Sequence, residues 1–249
     1  MAQNASARYE SFGVTNGLPM STIGVTTSLD DSSGPEPTDM IQVNNHVEAR
    51  APTILQRIDI DEMFLKKLYL VTVSKSLEDM INGPAQDLNY GALTVFDAQA
   101  IPQISIQDYL LRIMSYSRAT SRNMVMCLCY IDQLSHDQNC PIILSRYNIH
   151  RLLVVSMMVS CKFYEDFYID NESWATIAGM SLPEINRLER KFLTYIGFEI
   201  NTKLDCFLNY VQMLLSYAVE NELVEIDIAR EVLQAIVDAS VQEFEDSEF

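Results

Sequence analysis

The sequence predicts an all-α protein, and three observations support that prediction. Residues 152–161 are apolar in nearly every helical direction, interrupted only by Ser156 and Ser160. A helix of this kind must be enclosed by other elements. Other segments carry apolar residues at helical spacing, and no alternating apolar and polar stretch of convincing length lies between them. Glycine is rare, at 8 of 249 residues, which argues against a loop-rich β-barrel.

Composition and charge narrow the class of partner. The chain is 48% hydrophobic, enough for one domain of moderate size with tails. Its formal net charge is −17, so we expect neither nucleic acid nor an anionic membrane surface as a partner. The longest apolar run is about half of the roughly 20 residues that span a bilayer. Five cysteines without C-x-x-C spacing fit reduced thiols, and we expect an intracellular protein of the cytoplasm, the nucleus or both.

The sequence divides into three predicted regions. Residues 1–52 mix Ala, Asn, Ser, Thr, Gly and Pro without a hydrophobic period, which predicts a disordered N-terminal tail. Residues 53–218 carry the helical periodicities of a folded domain. Residues 219–249 hold many carboxylates and a single basic residue, Arg230, which predicts an acidic C-terminal helix and tail.

The first predicted helix covers 62–82, with Asp61 as its N-cap and Gly83-Pro84 as its stop. Residues 84–104 read as an irregular connection. Ser105 then opens a second helix with a capping box in which Asp108 takes the usual Glu place. A third helix begins at Ser121 and continues to about His136, and the central apolar helix follows over 146–164.

The second half contains four more predicted helices. Asn171 is the predicted cap of a short helix that Gly179 closes. The segment that begins at Ser181 is a capping box with proline in the first turn, and its helix ends at Gly197. Thr202 is the predicted cap of the next helix, and the last helix covers roughly 226–241. About eight helices, joined mostly by short loops, would surround the central one.

The signatures of enzymes are missing from the sequence. It contains no H-E-x-x-H, G-x-S-x-G, G-x-x-x-x-G-K or G-x-G-x-x-G motif. Cys127 and Cys129 are two apart on a helix, about 200° around it, so they cannot share a metal ion. We therefore expect no enzyme activity, no cofactor and no metal site.

Several ordered segments resemble the cyclin box. The first segment is Ile104-Ser105-Ile106, followed by Tyr109-Leu110-Leu111-Arg112-Ile113. A later predicted helix ends in CYIDQL and the central apolar run ends in SCKFYED. The last segment is SLPEINRLERKFLTYIGFEI. The pattern is most similar to the P-type, or U-type, cyclins, relatives of the yeast phosphate-pathway cyclin. The helix over 186–193 matches the family's Asn-x-Leu-Glu pattern except for one difference in register. The similarity spans about 62–215.

The resemblance implies a fold and a function. The fold is a single cyclin box, with its core at about 104–200, in which five helices pack around a buried third helix, flanked by N- and C-terminal helices. The function is that of a regulatory subunit that binds and activates a cyclin-dependent protein kinase by docking on its αC helix. Such proteins act in the cell cycle or in phosphate and nutrient signalling.

The resemblance also implies a binding site. Lys162 matches the lysine at the tip of the buried helix, and Glu189 matches the glutamate of the fifth cyclin-box helix; in the family they pair at the kinase-facing surface. Apolar positions that flank this pair are matched by Val159, Phe163, Leu193, Phe198 and Ile200. Without the resemblance, Lys162 would be read as a local i,i+4 partner of Asp166 and Glu189 as part of a solvated helix face.

Two other function classes stay open at this point. A cyclin-fold adaptor or transcription scaffold would bind DNA or peptides without activating a kinase, but the net charge and the single predicted box argue against it. An unrelated helical enzyme would show activity without any added kinase.

Overall fold

The computed structural model describes residues 61–82, 93–136 and 142–246, with side chains through residue 240. Within these ranges the chain forms eight helices and no strand, which confirms the predicted all-α class. The helices are α1 (Glu62–Asn82), α2 (Ile106–Tyr116), α3 (Ser121–Ser135), α4 (Ile149–Tyr164), α5 (Asn171–Ala178), α6 (Leu182–Tyr195), α7 (Leu204–Glu220) and α8 (Ile226–Asp246). The predicted tail over 1–52 lies outside the described residues, and the three-region division stays a prediction.

Capping chemistry explains where several helices begin. The side chains of Asp61, Ser105 and Ser181 each accept a hydrogen bond from the backbone N–H three residues further on, as predicted. Such a bond satisfies one of the N–H groups that the first helical turn leaves without a partner. Gly179 closes α5 with φ +68°, a conformation that glycine adopts without steric cost.

Two predicted caps are wrong. The cap of α5 is Asp170, whose Oδ1 accepts from the N–H of Ser173 at 2.8 Å, so Asn171 is the first helical residue instead. Helix α7 begins after Lys203 without a side-chain cap, and the N–H of Thr202 donates to the hydroxyl of Tyr164 at 3.1 Å.

The central helix is shorter at its start than predicted. The chain over 145–148 forms a turn, closed by a bond from the N–H of Asn148 to the carbonyl of Ser145 at 3.2 Å and by the Asn148 side chain. Helix α4 therefore starts at Ile149. At the other end of the chain, α8 continues to Asp246, beyond the predicted end near 241.

Helix α4 is the centre of the domain. Every residue from Leu152 to Cys161 is buried, and α2, α3, α5 and α6 all pack against it. The most extensive packing is with α3, where the side-chain amide of Asn123 donates to the hydroxyl of Ser160 at 3.0 Å. The five helices α2–α6 thus form a bundle around the third of them, as expected.

The flanking helices α1 and α7 pack against the bundle. Helix α1 packs against α2, α3 and α7, and α7 packs against α3 and α8. The hydroxyl of Tyr210 on α7 donates to the carboxylate of Asp132 on α3 at 2.6 Å, in a buried position. The bond satisfies a buried carboxylate and links α7 to α3.

The connection over 93–104 is irregular, as predicted for this part of it, but it is anchored in the core. Phe96 is buried and makes edge-to-face contacts with Phe192 and Tyr195 of α6. Arg151 of α4 donates to the carbonyl of Asp97 at 3.1 Å and pairs with Glu184 of α6. The connection therefore packs against the end of α6 and is bonded to the first turn of α4.

Candidate functional site

The exposed end of α4 carries an ion pair with α6. Lys162 lies in the last turn of α4, and its Nζ is 2.6 Å from Oε1 of Glu189. A cation in this place also interacts favourably with the carbonyl end of the helix. The lysine side chain is 25% exposed and the glutamate 17%. Lys162 thus pairs with Glu189, and not with Asp166.

Two asparagines complete the cluster around this pair. Lys162 also donates to Oδ1 of Asn171, and the Asn171 amide donates to Oε2 of Glu189 at 2.8 Å and to Oδ1 of Asn186 at 2.6 Å. We call Lys162, Asn171, Asn186 and Glu189 the polar cluster. It brings together α4, α5 and α6, and both carboxylate oxygens of Glu189 have partners. The sequence analysis did not identify Asn171 or Asn186 as members of a site.

Apolar side chains lie near the ends of the same two helices. Phe163 and Phe198 are 48% and 67% exposed, which is high for aromatic residues, and Leu193 and Ile200 are half-buried. Val159 differs from the other flanking positions because it is only 3% exposed. Since α4 is buried up to Cys161, Val159 belongs to the core beneath the surface and offers no side chain to a partner.

The turn after α6 sets the position of Phe198. The N–H of Phe198 donates to the carbonyl of Leu193 at 2.9 Å, and that of Gly197 donates to Thr194 at 3.2 Å. This is the Schellman pattern, which requires a left-handed residue after the helix. Gly197 has φ +63° and Phe198 has φ +59°. A left-handed conformation at phenylalanine is uncommon, so the surrounding contacts must hold it.

Two tyrosines tie this turn to α3 and α4. The hydroxyls of Tyr130 and Tyr164 donate to the carbonyl of Ile200, at 2.8 and 3.3 Å. Burial, with Tyr164 nearby, raises the pKa of Tyr130, so its hydroxyl stays protonated as a donor. The ring of Phe163 makes an edge-to-face contact with Tyr164, with centroids 4.8 Å apart. The polar cluster and the turn over 197–202 are therefore joined through the end of α4.

The described residues contain free thiols but no cluster of metal ligands. No three His, Cys, Asp or Glu side chains within these ranges are grouped to hold a metal ion. Cys127, Cys129, Cys161 and Cys206 are free thiols. Burial raises the pKa of Cys161 to about 12, so that thiol remains protonated and unreactive at neutral pH. None of the helices in the described part is both long and apolar enough to cross a membrane.

The architecture defines the class of protein. A bundle of five helices around a buried third helix, preceded by a helix and followed by two more, is the arrangement of a cyclin box with flanking helices. The model of the family described as cyclin matches residues 69–200, more than half of the chain. This chain belongs to the cyclin family.

Curated relatives place it near the U-type and PHO85-type members. It is 38% identical to Cyclin-U4-1 of Arabidopsis thaliana over 123 residues, which cover 49% of this chain and 60% of that relative. It is 30% identical to PHO85 cyclin-like protein psl1 of Schizosaccharomyces pombe over 179 residues, 71% of this chain and 73% of that relative. It is 34% identical to Cyclin-U2-1 of Arabidopsis thaliana over 121 residues, 49% of this chain and 54% of that relative. The match to the two Arabidopsis relatives thus spans less than two thirds of their length.

Proposed function

We propose that this chain is the regulatory subunit of a cyclin-dependent protein kinase, not itself an enzyme, and that the polar cluster is the centre of its kinase-binding surface. The observation that carries the proposal is the ion pair between Lys162 and Glu189 at the open end of a buried helix. Phe163, Leu193, Phe198 and Ile200 supply the apolar part of the surface, and Val159 supports it from below. Family membership supports this reading, and the name of the fission-yeast relative describes that protein as PHO85 cyclin-like.

The physical case rests on the combination of exposed aromatic groups and fixed charges. Protein interfaces are enriched in aromatic residues at their centre, and such residues supply much of the binding energy. Lys162 and Glu189 are already paired and partly desolvated. The additional desolvation free energy is therefore small when a partner covers them. The cluster can also fix the orientation of the partner, since ammonium and amide groups donate in defined directions.

The proposed mechanism is allosteric. A protein kinase holds the ATP phosphates productively only when the lysine of its strand β3 is paired with the glutamate of its αC helix. A rigid helical surface that docks on αC shifts the population toward the paired state if it binds that state more tightly than the inactive one. We assign this role to the polar cluster and its apolar neighbours, in cell-cycle or phosphate and nutrient signalling within the cytoplasm or nucleus.

The proposal is tested by removing both members of the ion pair. The variant Lys162→Ala with Glu189→Ala is expected to keep its helical circular dichroism but to lose binding to a purified kinase of the PHO85 type and activation of that kinase. The control removes the exposed pair of α8 by Arg230→Ala with Asp227→Ala. An exposed pair of this kind contributes little to stability.

The readouts separate the proposal from the alternatives. Unreduced kinase binding by a folded Lys162→Ala, Glu189→Ala variant would show that the cluster is not the binding surface. Binding of the wild-type chain without any gain in kinase activity would support a cyclin-fold adaptor instead. Activity of the wild-type chain without added kinase would support an enzyme.

A further inference from the structure

A pocket of about 370 Å³ lies where α1, α7 and α8 meet the start of α3 and the end of α4. Its volume is in the range of small-molecule sites in proteins. The aromatic rings of Tyr69, Tyr164 and Phe207 line it, together with the aliphatic side chains of Leu65, Ile236 and Ala239. We call it the α1–α3 pocket. No member of the polar cluster is among its described lining residues, so it is a separate site.

Two carboxylates in the lining of the α1–α3 pocket are held at the start of α3. Oε1 and Oε2 of Glu62 accept hydrogen bonds from the N–H and the hydroxyl of Ser121, each at 2.6 Å. Oε1 of Glu165 accepts from the hydroxyl of Thr120 at 2.9 Å. Because a carboxylate has about four lone-pair sites, both side chains can accept further hydrogen bonds. The pocket therefore has two fixed negative charges.

The hydroxyl groups of the lining also offer lone pairs to a ligand. Those of Thr120 and Ser121 donate to the two carboxylates, and that of Ser240 donates to a backbone carbonyl of its own helix at 2.8 Å. Their protons are thus engaged within the protein. Arg122 is the single basic residue among the described lining residues, and it already has an interaction in the protein. The polar part of the pocket is therefore rich in hydrogen-bond acceptors.

Tyr69 provides an independent sign of a ligand. It is 2% exposed and lines the pocket, and its hydroxyl has no hydrogen-bond partner among the described residues. Buried polar groups in native proteins nearly always have a partner, and a buried hydroxyl without one costs free energy. Burial and then the charge of Glu62 raise the pKa of Tyr69, so the phenol stays neutral and its oxygen remains an acceptor. A ligand with N–H donors would supply the missing partner.

We propose that the α1–α3 pocket binds a small organic cation with an alkylammonium group. An ammonium group carries three donors and no acceptor, which matches the acceptor-rich lining. Its charge is attracted by Glu62 and Glu165, and aromatic rings attract a cation over their faces. A free amine and the lysine side chain of a bound peptide both present this group. The inference goes beyond the proposed function and does not rest on it.

The test is a titration of the full chain, without any kinase, followed by NMR spectra of the backbone amides. The probes are n-butylammonium and a blocked lysine, Nα-acetyl-lysine N-methylamide, and n-butanol is the neutral control. We expect both cations to cause saturable shifts at the amide of Ser121 and its neighbours, and butanol to cause none. Tighter binding of the blocked lysine would identify a peptide side chain as the ligand, and tighter or equal binding of butylammonium a free amine. Shifts spread evenly over the acidic surface, or none near Ser121, would overturn the inference.

Two variants test the lining residues. Glu165→Gln keeps the shape and an acceptor oxygen but removes the charge, whereas the control Glu231→Gln removes an equal charge from an exposed position of α8. We expect Glu165→Gln to weaken the binding of butylammonium about tenfold and Glu231→Gln to leave it unchanged. Tyr69→Phe removes the hydroxyl without a described partner, so its Tm without ligand should equal or exceed that of the wild type while its cation affinity falls.

The outcomes of the variant experiments are distinct. Normal cation affinity in both Glu165→Gln and Tyr69→Phe would overturn the inference, as would equal weakening by Glu231→Gln, which would indicate a general charge effect. Failure of the proposed function is seen separately, in the kinase-binding experiments, because the titration with cations contains no kinase.

Discussion

Nζ of Lys162 lies 2.6 Å from Oε1 of Glu189, and the amide of Asn171 contacts both residues. The pair joins the end of the buried helix α4 to the middle of α6. Because both side chains are mostly shielded from water, removal of one would leave a charge poorly solvated. Variants that change both together therefore test function with the least damage to the fold.

The role of Asn171 is tested by Asn171→Ala. Glu189 and Asn186 lose an amide donor in this variant, so we expect a loss of about 1–3 kcal/mol in unfolding free energy together with weaker kinase binding. The adjacent substitution Asp170→Ala removes the cap of α5 and should cost about 0.5–2 kcal/mol, but leave kinase affinity unchanged. Denaturant unfolding and affinity measurements on both variants check this. Weaker kinase binding by Asp170→Ala, with normal binding by Asn171→Ala, would contradict the assignment.

The anchoring of the turn after α6 is tested by Tyr130→Phe with Tyr164→Phe. The carbonyl of Ile200 loses both hydroxyl donors, and the N–H of Thr202 loses its acceptor. We expect a loss of about 1–3 kcal/mol in unfolding free energy and weaker kinase binding, since the turn that carries Phe198 and Ile200 loses its bonds to α3 and α4. The control Tyr116→Phe alters an exposed ring and should change stability by less than about 0.5 kcal/mol. A double variant as stable as the wild type would show that these bonds are not needed.

His150 predicts a pH dependence of stability. Its Nε2 donates to the carbonyl of Ile104 at 2.9 Å, while Nδ1 is buried and has no hydrogen-bond partner among the described residues. Burial lowers the pKa of His150, which the bond to Ile104 opposes only in part. A folded-state pKa below the unfolded value of about 6.5 means that the unfolded chain takes up more protons as the pH falls. The stabilisation by neutral His150 is therefore present above about pH 6.5 and lost as the pH falls toward the folded-state pKa.

Thermal unfolding at about pH 7.5 and about pH 5.5 measures this effect. We expect the Tm of the wild type to fall more between these values than that of His150→Gln, in which a neutral amide replaces the ring. Equal falls in the two proteins would exclude His150 as the cause. Carboxylates titrate in both proteins and cancel from the comparison.

Much of the fold followed from local sequence patterns. The apolar run over 152–161 required a buried helix, and the caps at Ser105 and Ser181 depend only on residues within one turn. Interactions of this range can be predicted from the local sequence. The choice between two neighbouring capping residues could not be predicted in this way, and Asp170 is the cap of α5 in place of Asn171.

The site was only partly accessible to sequence reasoning. Lys162 and Glu189 were predicted as site residues from the resemblance to cyclins. Their contacts with Asn171 depend on how α5 packs against α4 and α6, which the sequence did not indicate. Asn186 is the first residue of the Asn-x-Leu-Glu pattern of the family, and that pattern was the sequence signal that could have placed it in the polar cluster. The burial of Val159 agrees with the apolar run over 152–161, whereas the resemblance grouped it with the more exposed flanking positions.

The central claim is that the polar cluster recognises a kinase, and the most direct measurement is the kinase affinity of a charge-swapped variant. Lys162→Glu with Glu189→Lys keeps an ion pair between α4 and α6 but reverses the charges presented to a partner. We predict a folded protein with Tm within a few degrees of the wild type and kinase affinity at least about tenfold weaker, equivalent to about 1.4 kcal/mol. A folded swap variant that binds and activates the kinase like the wild type would show that the pair only supports the fold.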